Sequence, residues 1–384
     1  MRDTYIIGVG QTPVGEHWDA SLSTLALSAL AAARKNIEQP IQAMYVANAL
    51  GGEVAGQTQL GSMLASAAGL AGIEAMRVEA GGASGGAALR QAYLAVASGA
   101  YDVVAVVGVE KVTDVLDGTV EAGLALGLDG DYEAAHGLTL TGGWALLQQR
   151  YMHVHGYEAA AFAPFPVNAH RNAATNPSAQ YRFAIKPEQV LRSAPIAAPI
   201  ALLDSATPAD GAAAVIVAAA HVAHEYAGPH VRIAGSSLSV GPHSLHARSN
   251  LLQLEAATHS TQRALQQAQI THDAVDVLEL SDQHGIVAAL ALEASGFTES
   301  GTAPHLAADG ALALDGALPL ATFGGCKARG DAPGALGVYQ AVELTQQLRG
   351  VAGPNQVRNA RVAFAQCLGG LGATAATHIL IREA

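Results

Sequence analysis

A chain of 384 residues that is 50% hydrophobic and only 14% charged can bury more core than one compact unit usually holds, so two domains or two fused halves are expected. A formal net charge of −12 without any run of Lys or Arg argues against a nucleic-acid surface or an anionic membrane as the partner. Cys326 and Cys367 are the only cysteines, so there is no disulfide framework and both thiols are read as reduced.

The opening MRDTYIIGVGQTPVG has an apolar run too brief for a signal-peptide core, and no later stretch is uninterrupted over a membrane-spanning length. A soluble, cytoplasmic, metabolic-type protein is expected. TYIIGVG reads as a strand, SLSTLALSALAAARKN as a helix, and AMYVAN and YDVVAVVGVE as further strands. This alternation predicts an α/β fold with a largely parallel sheet and helices on both faces. From about Thr113 the pattern loosens into acidic loops, tyrosines and prolines, including AHGLTLTGGW and VNAHRNAATNPSAQYRF, and this lasts to about Pro208. It reads as an insertion of mixed structure. DGAAAVIVAAA then restores a strand. A second series runs from Val231 through VRIAGSSLSV, a helix around 258–269, VDVLELSDQHG and IVAALALEASG to ARVAFAQCLGGLGATAATHILIRE. The expected division is a first half over 1–228, with a loop domain at about 114–208 inside it, and a second half over 229–384. The histidines of HVH at 153–155, and His221 with His224, have no Cys or carboxylate partners at metal spacing and read as surface residues, so no metal site is expected.

The stretch VEAGGASGGAALRQA, from Val78 to Ala92, reads as a strand ending in a tight glycine turn that feeds a helix. Many α/β enzymes present a nucleophile at such a turn, but here the apex is Gly82. Gly81, Gly82, Gly85 and Gly86 permit close backbone approach, and the following helix points its first amides and positive dipole end at the turn. That arrangement suits an oxyanion or a thioester carbonyl. It equally suits a buried helix packed tightly on a sheet.

Together with IIGVGQTPVG, NAHRNAATNPSAQYR, DGAAAVIV, GGCKARGDAPGALGVYQAVELTQQLRG and QCLGGLGATAATHIL, in that order and spacing, the turn resembles the thiolase family. The sterol-carrier-protein-type and archaeal thiolase-like branch is the most similar, and the resemblance covers essentially the whole chain. It implies a thiolase-like fold of two similar βαβαβαββ halves around parallel-rich mixed sheets. GVGQTPVG, by contrast, has the wrong spacing for a dinucleotide-binding turn and a proline where the helix should begin. The resemblance also implies ping-pong chemistry on coenzyme A thioesters, with a Cys on the first turn taking the acyl group and a His in the later glycine loop activating it. This sequence departs at each point. The Cys position falls on Gly82, the His that precedes an Asp falls on Ser281 before Asp282, and the loop His falls on Asp331. A glycine carries no acyl group, and a carboxylate at 331 would raise a neighbouring thiol's pKa.

The remaining candidates divide between chemistry and packing. The resemblance gives Cys367 an acid/base role in proton movement, whereas a small buried hydrophobe beside a tight turn is the plainer reading. Cys326, in GGCKARG, reads as packing, and Ser84 as structural. His284, in SDQHG, is read either as a satisfied loop residue or as a nitrogen aimed into the pocket. Gly325, Gly330, Gly369 and Gly370 are expected to shape an acyl-CoA pocket, with no tightly bound cofactor. Two functions are compatible with this: an acyl-CoA-binding subunit without ping-pong activity, or a non-covalent aldolase or retro-aldolase on a β-hydroxyacyl-CoA using Asp331, Asp282, His284 and Cys367. A thiolase (acetyl-CoA acetyltransferase) with an unusual site ranks third. The expected partners are a second copy of the chain, an intact thiolase paralogue, or a small zinc-ribbon acyl-CoA-binding protein.

Overall fold

In the computed structural model, which describes residues 2–116 and 118–383, one nine-stranded mixed sheet runs through the molecule. Its strands are β1 (Thr4–Gln11), β2 (Ala43–Ala47), β3 (Glu74–Val78), β4 (Val103–Glu110), β7 (Gly211–Ala219), β8 (His230–Val240), β9 (Val277–Glu279), β10 (Val362–Gly369) and β11 (Thr374–Glu383), while β5 (Pro195–Ala197) and β6 (Ile200–Ala201) form a separate hairpin. The order is β3-β2-β4-β7-β1-β8-β11-β10-β9. β4 and β7 are buried at every position, in keeping with sequences made mostly of Val and Ala for strands covered on both faces.

The order contains two similar series set edge to edge. In the first half β3-β2-β4-β7-β1 runs inward; in the second β9-β10-β11-β8 does the same, and a single parallel bridge between Leu278 and Leu320 stands where a fifth strand would lie. The halves meet through a short antiparallel pairing of Tyr5 and Ile6 with Arg232 and Val231. Parallel pairing is confined to the flanks, at β2/β3, β2/β4 and β9/β10, and the centre is antiparallel. The two halves thus share one continuous sheet.

Two helices, Ser84–Ala97 and Leu336–Arg349, pack face to face, and their crossing depends on glycine. A β-carbon on Gly85 would sit 2.6 Å from the Gly337 nitrogen, and one on Gly337 2.3 Å from the Gly86 nitrogen. This close approach sets the distance between the turn before Ser84 and the loop before Leu336. Between β4 and β7 lie the helices Thr119–Ala125, Leu140–His155, Pro164–Ala173 and Pro187–Arg192 and the β5–β6 hairpin, several of which wall the space beyond that turn. No helix among the described residues is long and apolar enough to cross a membrane.

Candidate functional site

Ser84 closes the glycine turn: its hydroxyl donates to the Gly81 carbonyl at 2.6 Å and accepts from the Ala80 amide at 2.8 Å. The end of β10 lies directly against this turn. A β-carbon on Gly82 would stand 2.6 Å from the Leu368 carbonyl oxygen, and one on Gly369 2.3 Å from the Ala80 oxygen. Both contacts are with backbone, so no side-chain rotation relieves them. The turn where a nucleophile would sit is built around glycine.

Beside Gly82 opens a cavity of about 430 Å³, whose polar end carries Gln283, His284 and Asp331 together with Ser205 and Thr207. Asp331 is held at its backbone, its amide donating to the Thr207 carbonyl at 3.1 Å and its carbonyl accepting from Ala209 at 2.8 Å. The residue is only 8% exposed, and its buried Oδ1 has no hydrogen-bond partner. Burial pushes its pKa up to about 7, the Arg329 charge opposing and the Asp282 charge reinforcing. His284 precedes the helix Gly285–Ala294, is buried, and has an unpartnered Nδ1. Burial, with Lys327 nearby, lowers its pKa to about 3, so the ring is neutral at physiological pH. The Gln283 side-chain amide reaches toward the turn, with Nε2 4.0 Å from the β-carbon position of Gly82. The arrangement offers a buried carboxyl, a neutral imidazole and an amide donor around one space, with hydroxyls but, among the described residues, no thiol in its lining.

The other expected site residues lie behind this surface and do not line the cavity. The Ser281 hydroxyl accepts from the Leu368 amide at 2.9 Å, so it fixes β10 over the turn. Asp282 accepts from both the amide and the thiol of Cys326, at 2.7 and 2.9 Å. Cys367 faces the helix crossing, with its thiol 3.8 Å from the Ala83 carbonyl among Ala83, Cys326, Leu336 and Ala376, and burial raises its pKa to about 12. The contacts of Ser281, and those of Asp282 and Cys367, for which acid/base roles were considered, are thus with the surrounding protein. Of the four glycines, Gly370 lines the cavity, and both Gly369 and Gly370 line an adjoining cleft of about 600 Å³. Gly325 and Gly330 do not reach it: a β-carbon at 325 would strike the Asp282 carboxyl, and Gly330, at φ +109°, packs on Val14 and Gln180.

Sequence reasoning missed Gln283, Ser205 and Thr207. Gln283 stood between two singled-out residues, Asp282 and His284, in a strand-to-helix loop, a signal that was available. Ser205 and Thr207 come from the insertion, where nothing in the local pattern marks them. Behind Asp331 a fully buried Arg329 faces Glu343 at 3.0 Å and stacks over the Tyr339 ring at 4.4 Å. Lys327 sits 3.3 Å from His170 Nε2 and, largely through burial, has a pKa lowered to about 8. Among the described residues no group of three or more His, Cys, Asp or Glu is placed to hold a metal ion.

The chain matches the thiolase N-terminal domain over residues 4–194 and the thiolase C-terminal domain-like family over residues 238–382. It is 39% identical to the acetyl-CoA acetyltransferase of Methanothermobacter thermautotrophicus over 385 residues, covering 100% of both chains. This chain belongs to the thiolase superfamily. Within the superfamily it is also 32% identical to the benzoylsuccinyl-CoA thiolase subunit BbsB of Thauera aromatica, over 96% of this chain and 95% of that one. Among solved structures the Ltp2-ChsH2(DUF35) aldolase superposes with a TM-score of 0.87 at 24% identity, covering 99% of this chain and 97% of that chain. Human mitochondrial 3-ketoacyl-CoA thiolase superposes with a TM-score of 0.74 at 17% identity, over 100% and 99%. These superpositions establish the thiolase fold.

Proposed function

We propose that this thiolase-superfamily chain binds a coenzyme A thioester in the cavity beside Gly82 and acts on it without an acyl-enzyme, as an aldolase or retro-aldolase on a β-hydroxyacyl-CoA. The observation that carries this reading is Asp331, a buried carboxyl with an unpartnered oxygen and a pKa near 7, facing a cavity whose turn has no room for a nucleophile. In cleavage, Asp331 as carboxylate takes the proton of the β-hydroxyl. The bond between the α- and β-carbons breaks, its electron pair passes to the α-carbon, and the β-carbon becomes a carbonyl. The resulting thioester enolate accepts a hydrogen bond from Gln283 and is protonated at the α-carbon by Asp331, which returns to the carboxylate. A group with a pKa near 7 suits both transfers, and neutral His284 adds a hydrogen bond without adding charge.

A role as one subunit of an assembly is also supported. The Thauera relative is named a subunit and the aldolase structure pairs two components, which favours a second component such as the DUF35 protein named in that structure. Edge strand β3, with Met76 45% exposed, supports pairing with a second copy. Incubation with β-hydroxyacyl-CoAs, alone and with a DUF35-type partner, followed by mass spectrometry of the products, tests the reading. Release of a shorter acyl-CoA and an aldehyde or ketone, abolished by Asp331→Asn, is the expected result. Binding without turnover in either setting would leave only the acyl-CoA-binding subunit.

A further inference from the structure

The cavity lining also has a large apolar component. Besides Asp331, His284 and Gln283 it includes Leu124, Leu140, Trp144, Ile196 and Leu202, five large apolar side chains brought from three parts of the insertion, with Glu121, Thr139 and Thr141 beside them. Leu140 and Trp144 lie one turn apart on the helix Leu140–His155 and so share a face. Ile196 is on the β5–β6 hairpin and Leu202 directly follows it, and they are 50% and 52% exposed. Large aliphatic side chains standing half in water at the lip of an enclosed space gain by being covered, and the space they border is the one beside the reacting end.

Charge narrows what covers them. Among the described residues the charged ones that line the cavity are Glu121 and Asp331, both acidic, with no Lys or Arg. An acyl group ending in a carboxylate would meet like charge and no cation. Size narrows it further. With about 30 Å³ per water molecule in the liquid, a space of about 430 Å³ holds on the order of a dozen water-sized groups, so an acetyl group would leave most of the apolar wall wet.

We infer that the cavity selects thioesters of a bulky, neutral, apolar acyl group, a ring or branched chain on the order of ten carbons, with Ile196 and Leu202 as specificity-determining residues. This rests on the thioester-binding reading above and names its substrate class. Burial of each methylene contributes about the free energy of a three- to fourfold change in Kd, which sets the scale of the test.

The test is calorimetric titration of the full chain with acetyl-, butanoyl-, hexanoyl-, octanoyl-, benzoyl- and succinyl-CoA, and with free CoA as reference. Kd is expected to fall roughly threefold per methylene up to the octanoyl compound, and benzoyl-CoA to bind at least tenfold more tightly than acetyl-CoA. Succinyl-CoA, which is butanoyl-CoA with its terminal methyl replaced by a carboxylate, is expected to bind more weakly than butanoyl-CoA. Ile196→Ser and Leu202→Ser should each flatten the ladder; both sites are half exposed, and a melting curve without ligand verifies that the variants fold. A ladder that is flat in the unmodified chain, or succinyl-CoA binding best, overturns the inference while leaving thioester binding in place. Failure of every thioester to bind more tightly than free CoA overturns the thioester-binding reading as well.

Discussion

The Leu368 carbonyl oxygen lies 2.6 Å from the point where a β-carbon on Gly82 would stand. Ser281 holds it there by accepting a hydrogen bond from the Leu368 amide, so Ser281 and Gly82 belong to one arrangement, in which the end of β10 lies against a turn with no side chain at its apex. Gly82→Cys is therefore expected to restore neither thiolysis of acetoacetyl-CoA nor an acyl adduct in intact mass spectrometry. It should also lower stability by about 1–3 kcal/mol through overpacking. A stable acyl-enzyme in the variant, or in the unmodified chain, would show that the turn opens enough to present a nucleophile.

Asp331 makes a prediction about pH with a definite sign. Its pKa rises from an ordinary carboxylate value to about 7 on folding, so the folded chain binds a proton that the unfolded chain releases near pH 4. The stabilisation is complete below about pH 4 and is lost as pH rises through 7. Asp331→Asn should remove part of the fall in melting temperature between pH 4 and 7; Glu110 and Asp204, raised to about 7 and about 6 by burial, account for a further part. For retro-aldol turnover the carboxylate is the active form, so kcat/KM should rise with pH through about 7, and Asp331→Asn should cost about 10²- to 10⁴-fold. An unchanged rate in the variant would remove Asp331 from the chemistry.

Behind the site, Arg329 and Glu343 form a fully buried ion pair with Tyr339 beneath the guanidinium. Glu343→Gln leaves that charge without its closest counter-charge in a dry environment, and truncating one partner of such a pair is typically destabilising by about 3–5 kcal/mol. Urea unfolding should show a midpoint shift of that size with little change in slope. A shift under about 1 kcal/mol would mean that the other acids that interact with Arg329, namely Glu279, Asp282 and Asp331, carry the counter-charge instead.

The α/β fold and the glycine turn were legible because each rests on a local pattern: runs rich in Val and Ala for covered strands, and clustered glycines where elements cross. Two things were not. The closure of Gly82 comes from the Leu368 backbone, and a carbonyl carries no residue identity that a sequence displays. The separation of Asp331 and His284 from Ser281, Asp282 and Cys367 depends on which face of a loop or strand each occupies. At Cys367 the alternation along β10 aims the thiol at the helix crossing, while the neighbouring Leu368 lines the cavity.

That orientation yields the last prediction. Both cysteines are buried, and both thiols are pushed above their ordinary pKa: Cys367 to about 12 by burial alone, and Cys326 by burial and then by the charges of Asp282 and Asp331. A thiol reacts as its thiolate, so access and ionisation act against reaction together. With a chromogenic disulfide reagent at pH 8 the folded chain should show almost no reaction, and both thiols should react promptly after unfolding in guanidinium. Cys367→Ala should leave turnover unchanged, because the thiol faces Ala83 and Gly86 rather than ligand. Its cost should be confined to stability, at about 1 kcal/mol for the small void left at the helix crossing. Fast labelling of one thiol in the folded chain, protected by an acyl-CoA, would instead return Cys367 to the site and reopen the acid/base role that its position in the sequence suggests.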